Sequence, residues 1–240
     1  MPSQSEIKLF SSLKLKKFRQ KYGLFVVEGA KTVAELVHSS MKVRHILTSH
    51  ELPFDAGDIS VAHISVKEME RLSSMDNPPG ILAVVELPSY GAEISEDSKG
   101  PVMALDGIRD PGNLGTMIRT ADWYGVRDIL LSEDCTDVFN PKCLHASMGS
   151  FQRVRCHYGT LKNLIPGTGL PVVGCTLHGS NIRETNLPER CVLLIGSESH
   201  GISAGLLPLL DLQITIPRFG QAESLNAAVA AAIALDHCVH

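Results

Sequence analysis

The chain has 240 residues, 44% of them hydrophobic and 20% charged, a composition too apolar for a disordered chain and long enough for one large domain or two small ones. Its formal charge of −4 excludes a protein that is basic all over. The first thirty residues hold no signal-peptide run and no stretch approaches the roughly 18 apolar residues of a membrane span, so a cytoplasmic location without a membrane partner is expected.

The spacing over residues 5–22 suits a helix. It carries "KLFSSLKLKKFRQK", with Lys8, Lys14, Lys16, Lys17, Arg19 and Lys21, a density that suits phosphate backbones and suits a solvated helix face equally well. The chain continues as a strand in "LFVVEG", a helix in "AKTVAELVHS", a strand in "VRHILTS", then "ISVAHIS", a helix in "VKEMERLSS", a turn in "DNPPG" and a strand in "ILAVVEL". This alternation predicts a small α/β unit ending near Leu87. The stretch "PSYGAEISEDSKGP" that follows has few core-forming residues and reads as a linker.

A second βα series starts at "VMALDG". Its further strands are "DILLSE", "RVRCHY", "PVVGCTL", "CVLLIGSE" and "LQITIP", near-continuous apolar runs as in a parallel sheet covered on both faces. Ligands of such sheets collect where strands end. The six cysteines, Cys135, Cys143, Cys156, Cys175, Cys191 and Cys238, contain no C-x-x-C pair and read as reduced thiols, so no metal is expected.

Three strand ends stand out. In "DGIRDPGNLGTMIRTADWYG" a Gly/Pro loop over residues 106–112 precedes a helix, with Asn113 placed as its N-cap. Leu114, Met117, Ile118 and Ala121 form one apolar face, and Arg119 lies roughly 140° from its centre, on the exposed side beside Trp123. In "LLIGSESHGIS" Gly196 and Gly201 bracket Ser197, Glu198, Ser199 and His200, so backbone can approach a ligand and Glu198 can sit near positive charge. The echo of G-x-S-x-G around Ser199 lacks its first glycine and does not support a hydrolase. In "IPRFGQAESLNAAVAAAIALD" a polar loop precedes a helix apolar on every side: Leu225, Ala228, Val229, Ala232 and Ile233 form a stripe, and Ala227, Ala230, Ala231 and Ala234 fill the rest. Such a helix is expected to be buried all round, with its N-terminal N–H groups facing the loop. Ser224 and Asn226 could simply cap it. No G-x-G-x-x-G follows the early strands, against a dinucleotide enzyme.

Asn113, Gly115 and Arg119, then "GSESHG", then "IPRFGQAESLNAAVAAAIAL" closely resemble, in order and spacing, the three motifs of the SpoU or TrmH-type RNA ribose methyltransferases of the SPOUT superfamily. "FVVEGAKTVAEL" resembles the small substrate-binding domain, similar to ribosomal protein L30e, that many members carry. The resemblance implies an α/β protein: an L30e-like RNA-binding domain over residues 1–90 and a parallel-sheet SPOUT domain over residues 98–240, with a carboxyl-terminal trefoil knot. It implies S-adenosylmethionine (AdoMet) as methyl donor, held near Thr176, Leu177, His178, Gly196, Ser197, Glu198, Gly201, Ile216, Leu225 and Asn226. It further implies transfer to a ribose 2′-hydroxyl with Arg119 central. Ser224 and Asn226 would orient ribose or cofactor, Asn113 would fix the loop, and Glu198 would position Arg119 or the substrate. Lys14, Lys17, Arg19 and Arg119 are the expected RNA contacts. Members are homodimers, in which one subunit's arginine meets the other's cofactor. The implied substrate is structured RNA, first a guanosine of large-subunit ribosomal RNA. A transfer RNA, or a non-catalytic RNA-binding assembly factor on the same fold, is the alternative. Ser199, His200, Arg218 and the "NAAVA" of the third motif depart from the common pattern, and bear on substrate fit rather than on chemistry.

Overall fold

The computed structural model describes residues 2–90, 94 and 100–239. The helical run over residues 5–22 divides into α1 (Gln4–Ser12) and α2 (Lys16–Tyr22), followed by β1 (Leu24–Glu28), α3 (Ala30–Val37), β2 (Val43–Thr48), β3 (Val61–His63), α4 (Val66–Leu72) and β4 (Ile81–Glu86). The sheet order is β1-β4-β2-β3, antiparallel except between β2 and β3. Ile81, Leu82, Ala83, Val84 and Val85 of β4 are all buried, as expected of a central strand covered on both faces, and this is why it reads as an unbroken apolar run.

The first helix breaks because Leu13 is drawn into the core with Ile7 and Phe10, while Leu15 is extended at φ −99°, ψ 130°, a conformation outside the helical region. Arg19 holds the break. Its guanidinium is buried, at 3% residue exposure, and its Nη1 donates to the carbonyls of Leu13 and Lys14, both at 2.9 Å. Lys14 in turn donates from Nζ to the carbonyls of Arg71 and Ser73 at 3.0 and 2.5 Å, where a cation satisfies the acceptors left at the end of α4. Two of the expected RNA contacts, Lys14 and Arg19, are therefore committed to the architecture. Lys17 stays exposed, its Nζ 4.9 Å from the ring centroid of Phe18.

Past residue 100 the chain forms β5 (Val102–Leu105), α5 (Pro111–Trp123), β6 (Asp128–Leu131), α6 (Pro141–Ser147), β7 (Arg155–Tyr158), α7 (Leu161–Leu164), β8 (Val172–Asn181), β9 (Val192–Ile195), β10 (Leu212–Thr215) and α8 (Ala227–Cys238). The six strands pair in the order β10-β8-β9-β5-β6-β7 and are parallel throughout. β5, β6 and β9 are buried along their whole length. Val102, Ala104, Leu130, Val192 and Leu194 share a core with Leu161, Ile165, Ile202 and Leu206. No described helix is long and apolar enough to cross a membrane.

The chain forms two compact units, one of Met1–Ser89 with Phe139–Gln152 and one of Tyr90–Val138 with Arg153–His240. The segment holding α6 thus groups with the amino-terminal unit, across the simple division at the linker. Aromatic packing explains it: Phe139 and Phe151 lie 4.5 and 6.0 Å from Phe25 of β1, centroid to centroid, a contact worth about 1 kcal/mol per pair beyond burial. Of the linker, residues 91–93 and 95–99 lie outside the described residues.

Replacing Arg19 leaves two buried carbonyls without their donor. Arg19→Ala is expected to lower the urea-unfolding free energy by about 2–3 kcal/mol, whereas Lys16→Ala, at an exposed position, should change it by less than about 0.5 kcal/mol. Equal effects would show that Arg19 is a surface residue in solution.

Candidate active site

From β5 the chain moves outward through β6 to β7, then crosses to the other side of β5 for β8, β9 and β10. The connections leaving β5 and β9 therefore diverge, which opens a crevice at their carboxyl ends. Asp106, buried just past β5, accepts from the backbone N–H of Ser203 at 2.7 Å, and its own N–H donates to the carbonyl of Ile195 at 2.9 Å. One carboxylate thereby ties the loop after β9 to the end of β5.

The N-cap of α5 is Asp110, not Asn113. The Asp110 carboxylate accepts from the N–H of Asn113 at 2.8 Å, and Pro111 occupies the first helical position, where its missing N–H costs nothing. Asn113 therefore sits inside the first turn with its side chain free for longer reach. Its Nδ2 donates to Glu198 Oε1 in a short hydrogen bond, and its Oδ1 accepts from Nδ2 of Asn226 at 2.9 Å. Oδ1 of Asn226 accepts from the N–H groups of Ala228 and Val229 at 2.9 and 3.3 Å, as the N-cap of α8. The three strand-end motifs are thus joined by one relay. Glu198 is held by the amide of Asn113 rather than by a cation, and two of the α8 amides expected to face the loop are taken by Asn226.

The loop after β9 is folded back on itself. Ser197 and Gly201 exchange backbone hydrogen bonds of 3.1 and 2.9 Å, and Gly201 has φ +65°, which favours glycine. A Cβ on Gly196 would lie 2.0 Å from the carbonyl carbon of Gly201, so only glycine fits. Ser199 Oγ and His200 Nδ1 lie 2.7 Å apart. Both are exposed and no carboxylate among the described residues is bonded to His200, so no triad is assembled.

Along β8 and β10 the register jumps: Gln213 pairs with Gly174, but Ile214 pairs with Ser180. Residues 175–179 have no partner in β10, although Cys175 still pairs with Ile195 of β9, and this interruption holds Thr176, Leu177 and His178. Leu177 is 71% exposed, and Thr176 Oγ1 donates to Gln213 Oε1 at 3.4 Å. Ile216 is half-buried just past β10, and Ser224 and Leu225 are exposed. Ser224 does not cap the helix, a role Asn226 takes alone.

Arg119 is exposed and makes no hydrogen bond or ion pair among the described residues. It is six residues beyond Asn113, about 9 Å along α5 and about 120° around it, so it lies on a different face of the helix. α8 also departs from expectation. Ala227, Ala228, Ala231, Ala234 and Leu235 are buried, but Val229 and Ile233 are 48% and 39% exposed. The alanines let α8 lie close against α5, where Tyr124 donates to Asp236 Oδ1 at 2.8 Å, and this turns the larger side chains outward. Trp123 of α5 is 84% exposed.

Asp106 and Asp110 are structural members of the site that motif reading missed. The Asp-Pro pair before a helix was the available signal for Asp110. Arg183 and Phe219 also come together, the guanidinium carbon 5.6 Å from the ring centroid. They are 36 residues apart in sequence, and no local pattern predicts the pairing.

Residues 100–236 match the SpoU rRNA Methylase family, and residues 4–83 match the MRM3-like substrate binding domain. The chain is 35% identical to the 23S rRNA (guanosine(2553)-2′-O)-methyltransferase RlmP of Bacillus subtilis (strain 168), over 97% of this chain and 95% of that one. It is 30% identical to a 23S rRNA (uridine(2479)-2′-O)-methyltransferase of Streptomyces viridochromogenes, over 92% of this chain and 84% of the relative. Among solved structures it superposes on the SpoU methyltransferase AviRb of that organism in complex with AdoMet, with TM-score 0.89, 26% identity and coverage of 99% and 97%. An AdoMet-bound rRNA methyltransferase from Sinorhizobium meliloti gives TM-score 0.88, 28% identity and coverage of 99% and 96%. With its three motif loops gathered at the switch point of a parallel sheet, the chain belongs to the SpoU rRNA methylase family.

Proposed function

We propose that this protein methylates the ribose 2′-hydroxyl of a guanosine in large-subunit ribosomal RNA, in the cytoplasm and as a homodimer. The family consists of AdoMet-dependent RNA 2′-O-methyltransferases, and the chain is an enzyme of that class. The observation that carries the reading is the relay from Asn226 through Asn113 to Glu198, which unites the three motifs in one place.

The residues fit AdoMet. The interrupted segment after Gly174, the tight turn at Gly196 and the loop after β10 offer backbone polar groups beside the exposed apolar side chains Leu177 and Leu225, a lining suited to a nucleoside joined to an amino acid. AdoMet supplies a methyl group already activated on a sulfonium, and the chain need only position the acceptor and release its proton. Guanidinium stays protonated in proteins, so Arg119 is proposed to clamp the phosphate beside the acceptor ribose and align the 2′-oxygen. The proton then leaves to a phosphate oxygen or to water. Ser224 is the exposed hydroxyl placed to bind ribose or the methionine tail. Glu198, fixed by Asn113, braces the cofactor loop. The interrupted β8 segment and the α8 helix are the parts that a trefoil knot would thread.

Because Arg119 is exposed on a different face of α5 from Asn113, a second subunit is proposed to receive it. The exposed Trp123, Val229 and Ile233 supply an apolar face for that contact. Pairing two chains also places two basic amino-terminal segments near one RNA, which reconciles a net acidic protein with a polyanionic substrate.

Three outcomes follow. Incubated with methyl-labelled AdoMet and unmodified large-subunit rRNA, the protein is expected to leave label in alkali-resistant dinucleotides, since a methylated 2′-oxygen cannot attack its phosphodiester. Arg119→Ala should slow this by about 100-fold or more, and label in transfer RNA alone would overturn the rRNA assignment. Asn113→Asp removes the amide donor and sets a carboxylate against Glu198, so it should weaken AdoMet binding more than Asn113→Ala does, by about tenfold. Calorimetry decides the order. Finally, Arg119→Ala and Asn226→Ala protein, each inactive alone, should regain about a quarter of wild-type activity after subunit exchange, because about half of random dimers are mixed and each mixed dimer has one intact site. No recovery in mixed dimers would place Arg119 at its own chain's site.

A further inference from the structure

We propose that Phe219 and Arg183 form a stacking platform for a nucleobase of the RNA, next to the nucleotide being methylated. The proposal rests on the RNA methyltransferase reading above and adds a specificity subsite to it. Phe219 is 85% exposed, an unfavourable place for an aromatic ring unless something covers it in the working state. Its partner is not another apolar group but the guanidinium of Arg183, 5.6 Å from the ring centroid. A ring and a cationic plane together are the groups on which unpaired bases stack.

The support is rigid on the Arg183 side. Ile182 is buried beside it, the N–H of Arg183 donates to Asn181 Oδ1 at 3.1 Å, and Thr185 Oγ1 donates to the Asn181 carbonyl at 2.7 Å. The carbonyl of Thr185 is in turn bonded to His237 of α8 at 3.1 Å. On the other side Arg218 Nη1 reaches the carbonyl of Ala222 at 3.4 Å and closes the loop that carries Phe219. Charge points to a polyanion. Arg183 and Arg218 are both exposed, and Glu184, the acid next to Arg183, is engaged by Nδ2 of Asn181 at 2.8 Å. Phe219 is five residues before Ser224, at most about 17 Å away along an extended chain, a span that keeps the base it receives within a few nucleotides of a ribose held at Ser224. Arg218, the neighbour of Phe219, departs from the common pattern of the third motif, and such a departure suits a substrate-specific contact.

The test compares wild type with Phe219→Ala, Phe219→Leu, Phe219→Trp and Arg183→Ala. Retention of unmodified large-subunit rRNA on filters is measured alongside methyl transfer to the same RNA. Phe219→Ala and Phe219→Leu should each weaken RNA binding about tenfold, with the loss in the KM for RNA rather than in kcat, and Phe219→Trp should restore it. Arg183→Ala should weaken it by a smaller factor. Calorimetric AdoMet binding and the sedimentation coefficient should match wild type. Unchanged RNA binding in Phe219→Ala overturns the proposal. So does a parallel loss of AdoMet affinity, which would put the cofactor's adenine on the ring, or a change in sedimentation, which would make Phe219 a subunit contact. If wild type transfers no methyl, the enzymatic reading fails, while filter binding still decides whether the ring takes a base.

Discussion

Two asparagine amides hold this site together. Asn226 Nδ2 donates to Asn113 Oδ1, and Asn113 Nδ2 donates to Glu198. The direction of each bond is forced from the ends. A carboxylate can only accept, and the backbone N–H groups of Ala228 and Val229 that bond Asn226 Oδ1 can only donate. With both ends set, each amide has one orientation available. Individual bonds of this kind contribute only about 1 kcal/mol net, so the relay's value is geometric. It joins residues 85 and 113 positions apart in sequence and makes the placement of each loop depend on the other two.

The relay requires α8 to start at a defined point, and the small residues of that helix supply this. Leucines or isoleucines at positions 227, 228, 231 and 234 would hold α8 further from α5 and draw Asn226 away from Asn113. Alanine gives up burial energy, at about 25 cal/mol per Å² of apolar surface, in exchange for close approach. The larger Val229 and Ile233 then point outward, and Trp123 of α5 is exposed as well. The same constraint that assembles the site therefore leaves an apolar face on the chain, and the proposed dimer would use that face.

Much of this was legible in the sequence, and the failures have physical causes. β5, β6 and β9 were plain because parallel strands buried on both faces are apolar throughout. The helix over residues 5–22 reads as continuous because its spacing is helical on either side of Leu15, whereas burial of Leu13 breaks it and Arg19 holds the break. Charge density also does not show that Lys14 and Arg19 donate to backbone carbonyls of the fold. Asn113 reads as the N-cap of α5, a place that Asp110 takes. The Asp-Pro pair before it already fills the cap, and its true partners lie in segments that no local window contains. The all-round burial predicted for α8 treated every apolar residue alike, whereas side-chain size decided which side faced inward.

The position of Arg119 follows from the same geometry. Asn113 must face the relay, and a residue six positions along a helix is turned about 120° from it. Arg119 therefore does not share the helix face that Asn113 uses to organise the loops. One residue further on, at position 120, an arginine would share the face of Asn113, but there it would compete with the amide that holds Glu198. Keeping the cation on a different face leaves the relay neutral at its centre and leaves the guanidinium unpaired for a phosphate. The subunit pairing proposed above would bring this cation to a cofactor held by the other chain.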